Sequence, residues 1–264
     1  MKYTFLFLTL CYTSVLAQKT SGPRSVAMGS AGIALQDSWS LQQNPAGITG
    51  IRRPSLGIAY ERHFLDQEIS SQLAFLAVPY GKGVFGISTE RYGFAEFREQ
   101  HAGIAYARKF GSTLSLAIGF KFHQLSIAGY GSSTALSAEV GFQFAINEKL
   151  TLGSSVVNPS GSKYEGMTMA TIPVKLSFGA AYRFSDKVIV ATDVIKVLNS
   201  STDTRVGVEY SLIKNFSLRG GISANPFKQY AGFGFLYNHL SVDAAVSSHP
   251  TLGYSPQIGL GYEF

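Results

Sequence analysis

Few side chains in this chain are equipped for chemistry. Its 264 residues include five histidines and a single cysteine, Cys11. His63, His101 and His249 fall near the ends of apolar runs, and Glu99 lies close to His101 in sequence. Acyl transfer or hydrolysis would need a nucleophile, a base and an orienting carboxylate at matched positions. No Ser/His/Asp order and no carboxylate spacing singles itself out. The paired Cys/His spacing of a zinc module is missing, and so is a glycine-rich phosphate loop. The expectation is a non-enzymatic protein with no metal cluster and no cofactor. What remains is charge: Lys121, Glu139, Lys175, Asp193, Arg205, Glu209, Arg219 and Asp243, together with His123, Gln143 and Arg183. Each stands where its neighbours two positions away are mostly small or polar. Both signs are present, which suits ion pairing in a confined space or a polar conduit.

The elements that carry these charges have a period of two. Leu114, Leu116, Ile118, Phe120 and Phe122 alternate with Ser115, Ala117, Gly119 and Lys121. The same alternation runs through 136–146, where Glu139 and Gln143 share the small-residue face, and through 172–184, which carries Lys175 and Arg183. Only a strand sends alternate residues to opposite faces. The better face is apolar and aromatic. The other is Gly, Ala and Ser with an occasional charge, which is not the surface of a soluble sheet. Several runs reach the ~9–11 residues that a tilted strand needs to cross a bilayer. Fourteen such segments can be placed, near 55–63, 71–80, 84–92, 100–110, 113–125, 134–146, 150–158, 171–184, 187–197, 204–212, 216–224, 229–237, 240–248 and 255–264. Tight turns such as Gly81-Lys82-Gly83 and Asn147-Glu148-Lys149 alternate with longer connections at 64–70, 93–99, 126–133, 159–170, 198–203, 225–228 and 249–254. That alternation is expected of an outer-membrane barrel with short periplasmic turns and longer outer loops.

Composition agrees. Charged residues are only 14%, there are 28 glycines, and Phe and Tyr number 19 and 14. The chain is too apolar for a disordered protein. The net charge of +6 is not gathered in a Lys/Arg cluster, so nucleic acid is not an expected partner. Residues 1–17 read as a secretory signal peptide cleaved after Ala17, which leaves no cysteine in the mature chain. The end of the chain has Ile258, Leu260, Tyr262 and Phe264 on one face, and Tyr262 and Phe264 resemble a C-terminal signal for barrel assembly. Tyr80, Phe110, Phe184, Phe216 and Tyr237 beside tight turns fit an interfacial girdle. The expected location is therefore the outer membrane of a Gram-negative bacterium, with the lipid bilayer as the first partner.

Residues 18–51 have no alternating run. Arg24, Met28 and Gly29, then Gly32, Asp37, and Asn44-Pro45-Ala46-Gly47 before the first strand resemble the start of the FadL-like outer-membrane barrel superfamily, and most nearly its PorV/PorQ-type branch. The resemblance implies 14 strands and an N-terminal hatch folded into the lumen. The residues also have a reading of their own. Asp37 or Ser38 can cap a short helix over 37–43, which Asn44-Pro45 would halt, and Ile33 and Trp39 can pack on an inner wall. Arg24 or Asp37 is expected to pair with a charge on that wall.

The chain thus divides into a signal peptide (1–17), a hatch segment (18–51) and an all-β transmembrane antiparallel barrel (52–264). The resemblance implies two functions. One is an accessory subunit of a protein secretion or surface-assembly machine of the type IX kind, with other outer-membrane or secretion proteins as partners. The alternative is a channel for uptake of a small hydrophobic ligand. The short outer connections favour the first, with 126–133 and 159–170 as the contact loops.

Overall fold

A lipid-facing barrel must reverse the usual pattern, with large apolar residues outside and small or polar residues inside. The computed structural model, which describes residues 21–166 and 171–264, has that inverted pattern. Its strands are β1 (Ser55–Arg62), β2 (Ser70–Tyr80), β3 (Gly83–Gly93), β4 (Phe97–Phe110), β5 (Leu114–Ile127), β6 (Gly131–Ala145), β7 (Leu150–Val157), β8 (Lys175–Arg183), β9 (Val188–Val197), β10 (Asp203–Ile213), β11 (Phe216–Ala224), β12 (Phe227–Tyr237), β13 (Leu240–His249) and β14 (Gly253–Glu263). These fourteen strands, counted among the described residues, pair antiparallel in sequence order, and β1 pairs with β14 to close the barrel. Closure starts at Ser55 opposite Glu263 and runs to Glu61 opposite Gln257. No strand edge is then left for lipid to meet. Burial alternates strictly along β1, and Ile58, Phe120 and Ile222 stand on the outer, apolar face. The proposed signal peptide and its cleavage site lie outside the described residues.

Strand boundaries shift most at the outer end. β4, β5 and β6 are 14, 14 and 15 residues long, so the connections expected at 93–99 and 126–133 shrink to 94–96 and 128–130. Those at 225–228 and 249–254 shorten likewise. The strand expected from 171 begins instead at Lys175. Pro173 has no N–H for a ladder, and Thr171 is held in an isolated bridge to Lys163. β6 pairs with β7 only over Glu139–Ala145. The segment after β7 covers the outer part of β6 instead, through Asn158 N–H to the Ala138 carbonyl (2.8 Å) and Glu165 N–H to the Thr134 carbonyl (3.2 Å).

Before β1 the chain forms α1 (Pro23–Ala27) and two 3₁₀ helices, Ser38–Gln42 and Pro45–Gly50. Asp37 caps the first of these by accepting the Ser40 N–H at 2.8 Å, while Ser40 reaches back to the Asp37 N–H. Asn44-Pro45 does more than halt that helix. Pro45 sits at the first position of the second one, where its missing N–H costs nothing, and Asn44 caps it. All three pieces lie inside the barrel. α1 packs on β11–β14 and the 3₁₀ helices on β1 and β3–β6.

Candidate functional site in the lumen

The inner wall is shaped for a peptide backbone. A Cβ on Gly207 would stand 2.1 Å from the Met28 carbonyl oxygen, and one on Gly221 would stand 2.3 Å from the Gly29 nitrogen. No side chain larger than glycine fits at either wall position with residues 28–29 where they are. Gly29 itself turns with φ +69°, in the left-handed region. Met28 is fully buried against Ala31, Leu35 and Ala191.

On the β9–β13 side the segment is held by charge. Arg24 grips Glu209 through two hydrogen bonds of 2.7 and 2.9 Å and also bonds Asp37. Glu209 accepts a second guanidinium, Arg219 at 2.6 Å, and Arg219 continues to Asp243. Burial works against the Arg24 charge, but Glu209 and Asp37 more than offset it, so the guanidinium titrates above its ordinary value. Asp193 accepts the N–H groups of Gly32 (2.8 Å) and Ile33 (3.1 Å), and Arg205 reaches the Ser30 carbonyl at 3.3 Å. Gln143 donates to the carbonyls of Ile33 and Leu35, and Asn44 donates to those of Ile33 and Phe142. These bonds answer backbone groups that would otherwise be buried without partners.

On the β1–β5 side the contact is apolar. Trp39, Leu41, Ala46 and Ile48 pack on Leu73, Phe75, Val84, Ala105 and their neighbours. Trp39 meets Phe75 edge to face at 4.9 Å. Phe75 also lies against Gly57, and an apolar recess of about 240 Å³ beside it opens on the lipid-facing side, where Leu56 and Ile87 point outward. The lumen is therefore two-sided at this level, with a charged seat on one flank and an aromatic seam on the other.

Above the segment, towards the outer end, the wall becomes polar. Lys121 and Glu139 pair at 2.8 Å across β5 and β6, and Lys175 lies at the outer end of β8. Arg183 is exposed at the opposite end of β8, beside the tight turn. Higher on the wall, His101 Nε2 is 3.0 Å from Glu99 and its Nδ1 is 3.6 Å from Glu90. His123 lies directly across from His101, with ring centroids 4.6 Å apart. One donor atom each from Glu99, His101 and His123 lies within 4.8 Å of the others. The segment after β7 leans over this group: Tyr164 donates to Glu99 at 2.9 Å, and Tyr164 and Ile172 pack on Leu125.

The expectation of no metal-ligand cluster therefore needs correction. His101 and His123 are 22 positions apart, outside any local ligand spacing, yet Phe110 pairs with Leu114 around the tight turn. Counting back along both strands from that turn brings the two histidines opposite each other. That count is the signal by which they could have been found.

The remaining sequence-level candidates are Tyr262 and Phe264. Tyr262 faces outward opposite Leu56, its ring 5.1 Å from that of Phe264.

A closed fourteen-stranded barrel with an apolar outer belt and a folded N-terminal segment in its lumen has the fold of the FadL-like outer-membrane barrels. No family model matches the sequence, and no curated protein resembles it. Solved structures do. The Pseudomonas putida toluene transporter TodX superposes with a TM-score of 0.71 at 12% identity, covering 93% of this chain and 99% of that one. The Ralstonia pickettii toluene transporter TbuX gives 0.70 at 13% identity, covering 93% and 99%. A Pseudomonas aeruginosa FadL homologue gives 0.67 at 12%, covering 92% and 98%. At such identity the likeness is one of fold.

Proposed function

We propose that this protein is an outer-membrane channel that admits small apolar molecules. The observation that carries the reading is the aromatic seam between Trp39 and Phe75, which lies between the lumenal segment and the apolar β1–β5 flank of the wall. An apolar solute moving between the segment and β1–β4 would exchange contact with lipid for contact with Phe, Trp and Leu, and would avoid the charged flank. The solved barrels of the same fold that are named toluene transporters support the reading.

The runner-up is the docking subunit of a secretion machine, the PorV/PorQ-like, type IX reading. It is favoured by the shortness of most outer connections. Against it, Tyr164 and Ile172 of the longest connection turn inward and are buried on the wall, so they offer nothing to a partner.

Trp39 is the one tryptophan of the chain and reports on the seam directly. Toluene titrated into the purified protein in detergent should change Trp39 emission saturably, and Phe75→Ala should weaken that response at least ~10-fold. An unresponsive Trp39, together with stoichiometric secretion components retained in a mild-detergent pull-down from native membranes, would replace this reading with the docking subunit.

A further inference from the structure

We propose that Glu99, His101 and His123 form a divalent-metal site at the outer mouth of the barrel, of the kind that takes Zn²⁺. The site is independent of what passes through the lumen. Two imidazoles and a carboxylate are an ordinary zinc donor set, with metal–ligand distances of about 2.0–2.2 Å. A tetrahedral ion would therefore hold its donors about 3.4 Å apart. His101 Nε2 and Glu99 are already at 3.0 Å, and the three donors lie within 4.8 Å of one another, so closing on an ion needs a shift of about 1 Å at one side chain.

The surroundings hold each ligand in position, as metal sites require. His123 Nε2 is 2.7 Å from the Ser137 hydroxyl, which holds the ring in place beside His101. His101 Nδ1 faces Glu90 at 3.6 Å, the carboxylate–imidazole arrangement that orients a metal-bound histidine. Glu99 is fixed by the Tyr164 hydroxyl at 2.9 Å. His123 is buried, and the side chains of His101 and Glu99 are 17% and 13% exposed, so the ion would be shielded yet reachable from outside. Both histidines stand on a single hairpin whose register is set by its turn, which makes the pair rigid. With three protein ligands, one position stays open for water. Through Glu99 and Tyr164 the ion would also tie the β7–β8 connection to the β4–β5 hairpin.

The alternative is metal-free: an imidazolium at His101 lying between Glu90 and Glu99. Equilibrium dialysis of the whole protein in detergent against Zn²⁺, followed by elemental analysis, separates the two. The proposal expects one Zn²⁺ per chain with a micromolar or tighter Kd. His101→Gln and His123→Gln should each weaken binding at least ~30-fold. Ser137→Ala, which keeps all three ligands, should weaken it ~10-fold, the usual effect of an outer-shell partner. His249→Gln should change nothing. Co²⁺ in place of Zn²⁺ should give visible d–d bands in the wild type that disappear in His123→Gln. A wild type that takes up no Zn²⁺ beyond the level of the His101→Gln/His123→Gln double variant, or a Co²⁺ spectrum unchanged by His123→Gln, would overturn the proposal.

Discussion

Arg24 is the place to break the charged seat. Arg24→Met removes two bonds to Glu209 and one to Asp37 while keeping the length of the side chain. Breaking a buried ion pair costs about 3–5 kcal/mol, because a charge is left without its partner. Here the low end applies. Glu209 keeps Arg219 at 2.6 Å, and Asp37 keeps the Ser40 N–H and hydroxyl. About 3 kcal/mol corresponds to about a hundredfold shift from the seated segment towards a released one. Arg24→Glu is harsher. It puts a third carboxylate about 4 Å from two others, and each repulsion is worth about 4 kcal/mol at an effective dielectric of 20. With the lost pair, the total is about 11 kcal/mol, comparable to the whole stability of an ordinary domain. Segment 21–51 should therefore leave the lumen in Arg24→Glu. Trp39 emission should move to the red as the indole meets water, and planar-bilayer conductance should rise. Arg24→Met should show the same changes in part, with a lowered melting temperature. If Arg24→Glu keeps the wild-type emission maximum, conductance and melting temperature, the charged network does not hold the segment, and the reasoning fails.

Two further predictions follow from the wall. Gly207→Val forces a side chain into the Met28 carbonyl and should unseat the segment, seen as increased protease cleavage within 21–51. A Cβ at Gly220 on the same sheet would meet nothing closer than 3.8 Å, so Gly220→Ala should be tolerated. His63 carries a pH dependence. It is buried at the end of β1, faced by Glu61, Glu90, Lys228 and the ring of Tyr92. Burial first, then Lys228, depresses its imidazole to about 4. The unfolded chain takes up a proton below about pH 6.5, and the folded one resists until about pH 4. Stability contributed by the neutral ring is thus complete above pH 6.5 and falls by about 1.4 kcal/mol per pH unit across that window. Melting temperatures from pH 7 to 4 should drop more steeply in the wild type than in His63→Asn. Parallel curves would refute it.

Strands were legible in this chain because alternation is local. A residue's face depends only on its own parity, and the small, polar face of β5 or β6 could be read from ten residues at a time. The Asp37 cap was legible for the same reason, since it spans three positions. Where each strand stops was less so. β8 starts at Lys175 because Pro173 breaks the ladder, and β4–β6 run past the polar residues that look like loop.

Sequence alone determined that this is a barrel and which face meets lipid, since both follow from a period of two. Only closure of the ring decided which groups meet. Arg24 and Glu209 are 185 positions apart, and Gly32 and Asp193 are 161 apart. Ladder register put His101 across from His123, and the missing outer ladder between β6 and β7 brought Tyr164 onto Glu99. Such contacts depend on the sum of many strand pairings around the barrel. No local window of sequence contains that sum, and the lumen's two-sided chemistry exists only once it is complete.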